Sequence, residues 1–437
     1  LRKKLSLAFG QRGFQMNSQN NTDLILELVK LRKERAQLLG YPSHAAFILE
    51  ERMAQSEQNV KSFLDELATK AKPAAQKEWE IMESFASKKL GLDQLEKWDT
   101  AYVAEKLKQA ELDLDEQQLK PYFPLNQVLQ GLFEIVKKLY GIELRKNKDV
   151  AKYHEEVDVY EVYKENAFYA LLYTDFFPRA GKRNGAWMTS YRSQKTGQRP
   201  HISIVCNFSK PTQTKPSLLT FQEVTTLFHE FGHALHGMLA NTSYSSLSGT
   251  SVFWDFVELP SQIMENWCYQ PEALALYAKH YETAEVIPNE LIQKIKKAAH
   301  FQQGLQTLRQ LSFAYLDLSF HDQHANRIKD VKQHEKEQIQ HLQFTKDIAE
   351  NCLSTAFSHI FQGGYSAGYY SYKWAEVLDA DAFELFLGKG IFDGPTAHAF
   401  LKHILSKGGT EHPMTLYKRF RGKEPDPSAL LRRAGLT

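Results

Sequence analysis

The stretch Thr226-Leu-Phe-His-Glu-Phe-Gly-His-Ala-Leu-His236 constrains this chain more than any other. Leu227, Phe228, Phe231, Ala234 and Leu235 make a helix here apolar nearly all round, so it must be buried. The same helix carries histidines and a glutamate, and buried polar groups need partners. At i and i+4 two side chains share one face about a turn apart. His229 and His233 can therefore converge on one metal ion, with Glu230 beside it. A chain of 437 residues can produce this pattern by chance, so its context must supply the rest of a site.

Zinc in a hydrolytic site takes three protein ligands and keeps one position for water. His236 returns to the same face, but positions 229 and 236 are about 10.5 Å apart along the axis at 1.5 Å per residue, too far for one ion near His233. Six residues after His233 stands Leu239, which excludes a third histidine at that spacing. A carboxylate from another helix remains. Residues 253–270 read as a helix perturbed at Pro260. On it Asp255, Glu258, Gln262 and Glu265 form one polar stripe among Phe256, Val257, Leu259, Ile263, Met264 and Trp267. Such a stripe ordinarily faces water, but on so apolar a segment it suits the wall of a metal cleft. Glu258 is the expected third ligand, with Asp255 or Glu265 orienting a ligand imidazole. Zinc lowers the pKa of coordinated water toward about 7. Glu230 would take that proton as the water attacks a carbonyl, then pass it to the leaving nitrogen.

The negative oxygen that forms on the carbonyl needs a donor. Tyr365, Tyr369, Tyr370 and Tyr372 lie on a segment broken by Gly363, Gly364 and Gly368, and His359 precedes them. Clustered tyrosines are usually packing, but the glycines favour a mobile segment that brings in a phenol.

The remaining chain reads as mainly α. Helical spacing covers 21–40, where Asn21, Thr22 and Asp23 offer caps and Gly40 with Pro42 a stop. Ser43 and Ser56 are further caps. The second opens a stripe of Val60, Phe63, Leu64 and Leu67 ending at Pro73, and a separate helix then runs through Trp79, Met82, Phe85 and Ala86 to Gly91. Pro121 and Pro124 mark a loop before a helix over 128–140. Between about 156 and 208 strand formers dominate, around the turn Gly181-Lys-Arg-Asn-Gly185, which predicts a small sheet beside the zinc helix. That sheet either covers the core or offers an edge that aligns an extended peptide. Residues 285–350 are helical again. The expected organisation is a helical scaffold over 1–150 and a catalytic part over 151–437, forming one continuous region.

Basic and acidic residues balance, 54 against 52, for a net charge of +2, so nothing points to nucleic acid. No apolar run of 18 or more residues indicates a membrane span, and no obligate protein partner is evident. Cys206, Cys268 and Cys352 have no metal-type spacing and favour a reducing, cytoplasmic compartment. Leu1 is not an initiator methionine, which leaves a periplasmic setting open.

With these residues in hand the chain resembles the thimet oligopeptidase family of zinc peptidases. The matching pieces are Phe228-His-Glu-Phe-Gly-His-Ala-Leu-His236, Asp255-Phe-Val-Glu-Leu-Pro-Ser-Gln-Ile-Met-Glu-Asn-Trp267, Ser358-His-Ile-Phe-Gln-Gly-Gly-Tyr-Ser-Ala-Gly-Tyr-Tyr-Ser-Tyr-Lys-Trp374 and Lys418-Arg-Phe-Arg-Gly-Lys-Glu-Pro425. The resemblance implies one Zn2+ held by His229, His233 and Glu258, with Glu230 as base. It places Tyr365 and Tyr369 on the substrate, Tyr372 as oxyanion donor and His359 beside it. It further implies a two-lobed helical zincin with a deep channel that admits short unfolded peptides. Family members carry additional helices ahead of the point where this chain starts, so a carboxy-terminal catalytic fragment is expected. The pieces at 258–267 and 418–425 are similar to the oligopeptidase A branch, an endopeptidase. Ser246-Leu-Ser-Gly-Thr250 is similar to the peptidyl-dipeptidase branch, which releases carboxy-terminal dipeptides. A zinc or peptide-binding domain without turnover is the non-enzymatic alternative.

Overall fold

In a computed structural model, which describes residues 1–436, the chain folds into two compact units assembled from interleaved segments. The first comprises Leu1–Asp113, Ala299–Trp374 and Leu431–Thr437; the second comprises Leu114–Ala298 and Ala375–Leu430. These units do not follow the expected division at residue 150. Residues 114–150 belong with the sheet, and 299–374 return to the amino-terminal helices, a long-range pairing that local periodicity cannot reveal.

The first unit is helical. Ser43 and Ser56 cap His44–Leu49 and Glu57–Leu90 as expected, their side chains accepting from the backbone N–H of Ala46 and Asn59. Glu57–Leu90 is one helix with Pro73 inside it, not two separated by that proline. The missing donor is tolerated because the turns on both sides are held from outside. Leu64, Leu67, Ala68, Ala71 and Ala75 pack in one core with Leu308 and Leu311 of Gln303–His321. The two backbones approach so closely at Gly304 that a Cβ there would lie 2.4 Å from Ala75 N. Glu78 seals the junction, accepting from the N–H groups of Gly304 and Leu305 at the start of the second helix.

The second unit contains a five-stranded mixed sheet: β1 (Ile142–Asn147), β2 (Asp158–Lys164), β3 (Ala167–Asp175), β4 (Trp187–Arg192) and β5 (His201–Val205), in the order β1-β2-β3-β5-β4. All pairs are antiparallel except β3 with β5. The sheet begins earlier than expected, because β1 follows directly on the amphipathic helix Leu125–Tyr140. It also gains β4 as an edge. Polar residues obscured both added strands: β1 reads Ile-Glu-Leu-Arg-Lys-Asn and β4 is exposed at Ser190, Tyr191 and Arg192. Ile202 and Ile204 are fully buried, and Gly237 of the helix Phe221–Met238 allows close contact. A Cβ there would meet Ile202 Cδ1 at 2.7 Å. The sheet thus packs beside the helix that carries the histidines, as expected. Among the described residues no helix is long and apolar enough to cross a membrane.

Candidate metal centre

Phe221–Met238 begins with a complete capping box, in which Thr220 and Glu223 satisfy each other's backbone N–H groups. The helix is buried over most of its length, so its register fixes the side chains that emerge. His229 and His233 do emerge, with ring centroids 5.0 Å apart.

The facing wall is built from two short helices, Trp254–Val257 and Leu259–Glu265. Pro260 has no N–H and would clash with the carbonyl four residues earlier, so the helix stops and restarts at Glu258. This break aims the Glu258 carboxylate at both imidazoles: its Oε2 lies 3.3 Å from His229 Nε2 and 3.1 Å from His233 Nε2. Ser261, one turn on, places its Oγ 2.9 Å from the same carboxylate oxygen. Ser261 was not legible as a site residue, although a hydroxyl three positions after a candidate ligand was the available signal. Gly232 makes the approach possible, since a Cβ there would lie 2.2 Å from the carbonyl oxygen of Pro260.

The donor atoms of His229, His233 and Glu258 all lie within 4.8 Å of one another. Four-coordinate zinc with bonds of about 2.0–2.1 Å separates its ligand atoms by roughly 3.3 Å, the spacing found between Glu258 and the two imidazoles. Glu265 was one of two expected orienting partners, and its Oε1 sits 2.7 Å from His229 Nδ1. With Nδ1–H donating to Glu265, loss of the Nε2 proton would leave that nitrogen's lone pair to an ion. Asp255 is buried. His236 is fully buried, outside the donor group, and neither ring nitrogen meets a protein partner. Burial pushes its pKa down to about 3, consistent with a neutral packing residue.

Electrostatics within the donor group are strongly coupled. Burial disfavours charge on both His229 and Glu258. The His233 and His229 charges and hydrogen bonds outweigh it for Glu258, and those of Glu258 and Glu265 outweigh it for the imidazole, so His229 is held well above and Glu258 well below its ordinary value. Glu230 is buried, and desolvation raises its pKa. Its Oε2 has no hydrogen-bond partner, and neither has His233 Nδ1. A buried carboxylate oxygen without a protein partner, beside three convergent donor atoms, is compatible with a metal ion and its water as the remaining partners. The residues therefore fit Zn2+.

The sequence profile of peptidase family M3 matches residues 1–436. The chain belongs to this family. Over the whole of this chain it is 43% identical to oligopeptidase A of Escherichia coli and 38% identical to dipeptidyl carboxypeptidase of the same organism, covering 66% and 65% of their lengths. An organellar oligopeptidase A from Arabidopsis thaliana is 40% identical over 95% of the chain. The chain thus spans about two thirds of the bacterial relatives. Its fold is similar to that of PZ peptidase A with an inhibitor (TM-score 0.62, 17% identity, 99% of this chain and 67% of that one). It is also similar to that of a Pyrococcus furiosus carboxypeptidase (TM-score 0.56, 13% identity, 99% and 78%). These likenesses bear out the mainly α fold with a small sheet.

His359, Tyr365, Tyr369 and Tyr372 belong to the first unit, whereas the donor group belongs to the second. Within their unit the four form one aromatic cluster. Tyr365 stacks on Tyr372 at 5.0 Å, Tyr369 meets Tyr372 edge-on at 5.2 Å, and His359 lies 6.1 Å from Tyr365 and 5.7 Å from Tyr369. The Tyr369 hydroxyl is 3.1 Å from Gln310 Oε1.

Proposed function

We propose that this protein is a zinc-dependent oligopeptidase that hydrolyses internal bonds of short, unfolded peptides. The observation that carries the reading is the convergence of His229, His233 and Glu258 beside the buried Glu230. The two histidines and Glu258 would hold Zn2+, which when bound supplies Lewis acidity toward a peptide carbonyl and lowers the pKa of water.

Glu230 accepts the proton of the attacking water on its carboxylate and returns it to the leaving amine nitrogen. A carboxylate whose pKa is raised by burial suits both halves of that task. Glu265 keeps His229 in the tautomer that presents Nε2. Tyr372 donates its phenolic O–H to the developing oxyanion, Tyr365 and Tyr369 bind the substrate, and His359 assists. Support for these four roles is the motif at 358–374 and its likeness to the thimet oligopeptidases. A cytoplasmic setting accords with three unpaired, buried cysteines.

Identity to dipeptidyl carboxypeptidase favours a second reading, release of carboxy-terminal dipeptides. Incubating free and carboxy-amidated peptides with the zinc-loaded protein, with and without chelator, and identifying the products by mass spectrometry separates the two. The proposal expects chelator-sensitive internal cleavage indifferent to amidation. Dipeptides from free termini alone support the second reading, and stoichiometric metal binding without cleavage defeats both.

A further inference from the structure

The tyrosine segment is irregular between Phe361 and Ser371, and Ala367 adopts φ +55°, a left-handed conformation that a residue with a Cβ holds only under outside constraint. That constraint is visible. The buried carboxylate of Asp317 accepts three consecutive backbone N–H bonds, from Ala367 to Oδ1 and from Gly368 and Tyr369 to Oδ2, each at 2.8 Å.

Behind Asp317 stands His321, one helical turn away and fully buried. Its Nδ1 is 3.0 Å from Asp317 Oδ1 and 2.7 Å from the Asp317 carbonyl. Its Nε2 is 2.8 Å from Arg32 Nη1. Arginine can only donate, so Nε2 accepts and the ring proton sits on Nδ1, pointing at Asp317. The same Arg32 nitrogen donates to the carbonyl of Ile360, next to His359. A parallel relay runs from Arg35 to His44 Nδ1 at 3.3 Å, and from His44 Nε2 to Ser366 Oγ at 3.0 Å. The two imidazoles pack against each other at 5.0 Å. The segment carrying His359, Tyr365, Tyr369 and Tyr372 is therefore held at Ile360 and again at 366–369 by these side chains.

We propose that Asp317, backed by His321 and Arg32, is a positioning residue that fixes the backbone of 366–369 and so presents Tyr369 and Tyr372 in a single arrangement. A loop held by three charge-assisted bonds from one carboxylate has little freedom to reorganise, contrary to the mobile segment expected from Gly363, Gly364 and Gly368. The geometric claim is independent of the function proposed above; only its kinetic consequence rests on the role given there to Tyr372.

The test measures amide hydrogen exchange across 363–372 in the metal-loaded protein, comparing wild type with Asp317→Asn and His321→Gln. Asparagine keeps the size but presents its NH2 to one or two of the loop donors. Exchange at 367–369 should accelerate roughly tenfold or more in Asp317→Asn and less in His321→Gln, with Glu57–Leu90 unchanged. Should one variant fail to fold, the other reads the same amides. Unaltered exchange in a folded variant overturns the proposal. In peptide cleavage, Asp317→Asn should lower kcat more than it raises KM, and its effect should largely vanish in a Tyr372→Phe background. Additive effects in that double mutant overturn the positioning role. If Tyr372→Phe alone leaves kcat unchanged, the tyrosine's catalytic assignment fails while the exchange result still decides the role of Asp317.

Discussion

Replacing Gly232 with alanine perturbs the metal centre without touching any of its donors. The added Cβ would lie 2.2 Å from Pro260 O and 2.5 Å from Ser261 Cα, whereas ordinary contact begins at 3.4 Å. The obstacle is backbone on both sides, so the two elements must separate by about an ångström, at a cost of about 3 kcal/mol at the upper end of overpacking. One element carries His229 and His233, the other Glu258. The shift exceeds the roughly 0.2 Å tolerance of metal–ligand distances, so zinc affinity should fall about 100-fold. Competition against a chromophoric chelator reads the affinity, and denaturant unfolding of the metal-free protein reads the stability. Gly237→Ala on the same helix is the control. Its nearest neighbours are side-chain atoms of Ile202 and Met188 rather than the backbone that carries Glu258, so it should cost about 1–2 kcal/mol and leave zinc binding intact. Wild-type zinc affinity in Gly232→Ala, or equal losses in both variants, would refute the argument from close approach.

Three further outcomes are expected. Glu265→Leu removes the acceptor for His229 Nδ1 and should weaken zinc binding about 10–100-fold in the same competition assay. Burial alone would raise the pKa of Asp175, but hydrogen bonds from Arg179, Lys182 and Tyr153 outweigh it and hold the carboxyl at about 2, below its ordinary 3.8. Its contribution is therefore complete above the unfolded value and is lost as pH falls through about 3.8 toward 2. Wild type should lose about 1–2 kcal/mol across that window relative to Asp175→Asn, and parallel pH–stability curves would contradict the assignment. Pro73→Ala restores a donor inside a continuous helix and should raise stability by about 1–3 kcal/mol in denaturant titrations; a loss would show that the helix is adapted to its proline.

What could be read from the sequence was whatever one element encodes by its own spacing. Two histidines four apart on an apolar helix and a carboxylate stripe around Pro260 pointed to three side chains that the structure brings within 4.8 Å of one another. The choice between Asp255 and Glu265 stayed open because it depends on the rotation of one helix against another, and the structure shows Glu265 meeting His229. Pro73 misled because a local rule was overridden by packing against residues more than 200 positions away. β4 was obscured because an edge strand half exposed to solvent lacks the apolar run that marks a buried one. Asp317, His321 and Arg32 carry no motif, and only folding brings Arg32 beside its partners. The spacing of Asp317 and His321 on a buried helix was the one available sign.

In the proposed mechanism Glu230 acts chemically at a metal site built by other residues. Glu230→Gln keeps the volume and the donor triad and removes only the proton acceptor, so it separates metal binding from turnover. Zinc content and cleavage of a quenched peptide, measured on one preparation of each protein, test the claim most directly. One zinc per chain in both, with turnover lowered at least about 100-fold in the variant, is the predicted result. Zinc-loaded Glu230→Gln that cleaves at the wild-type rate would contradict it.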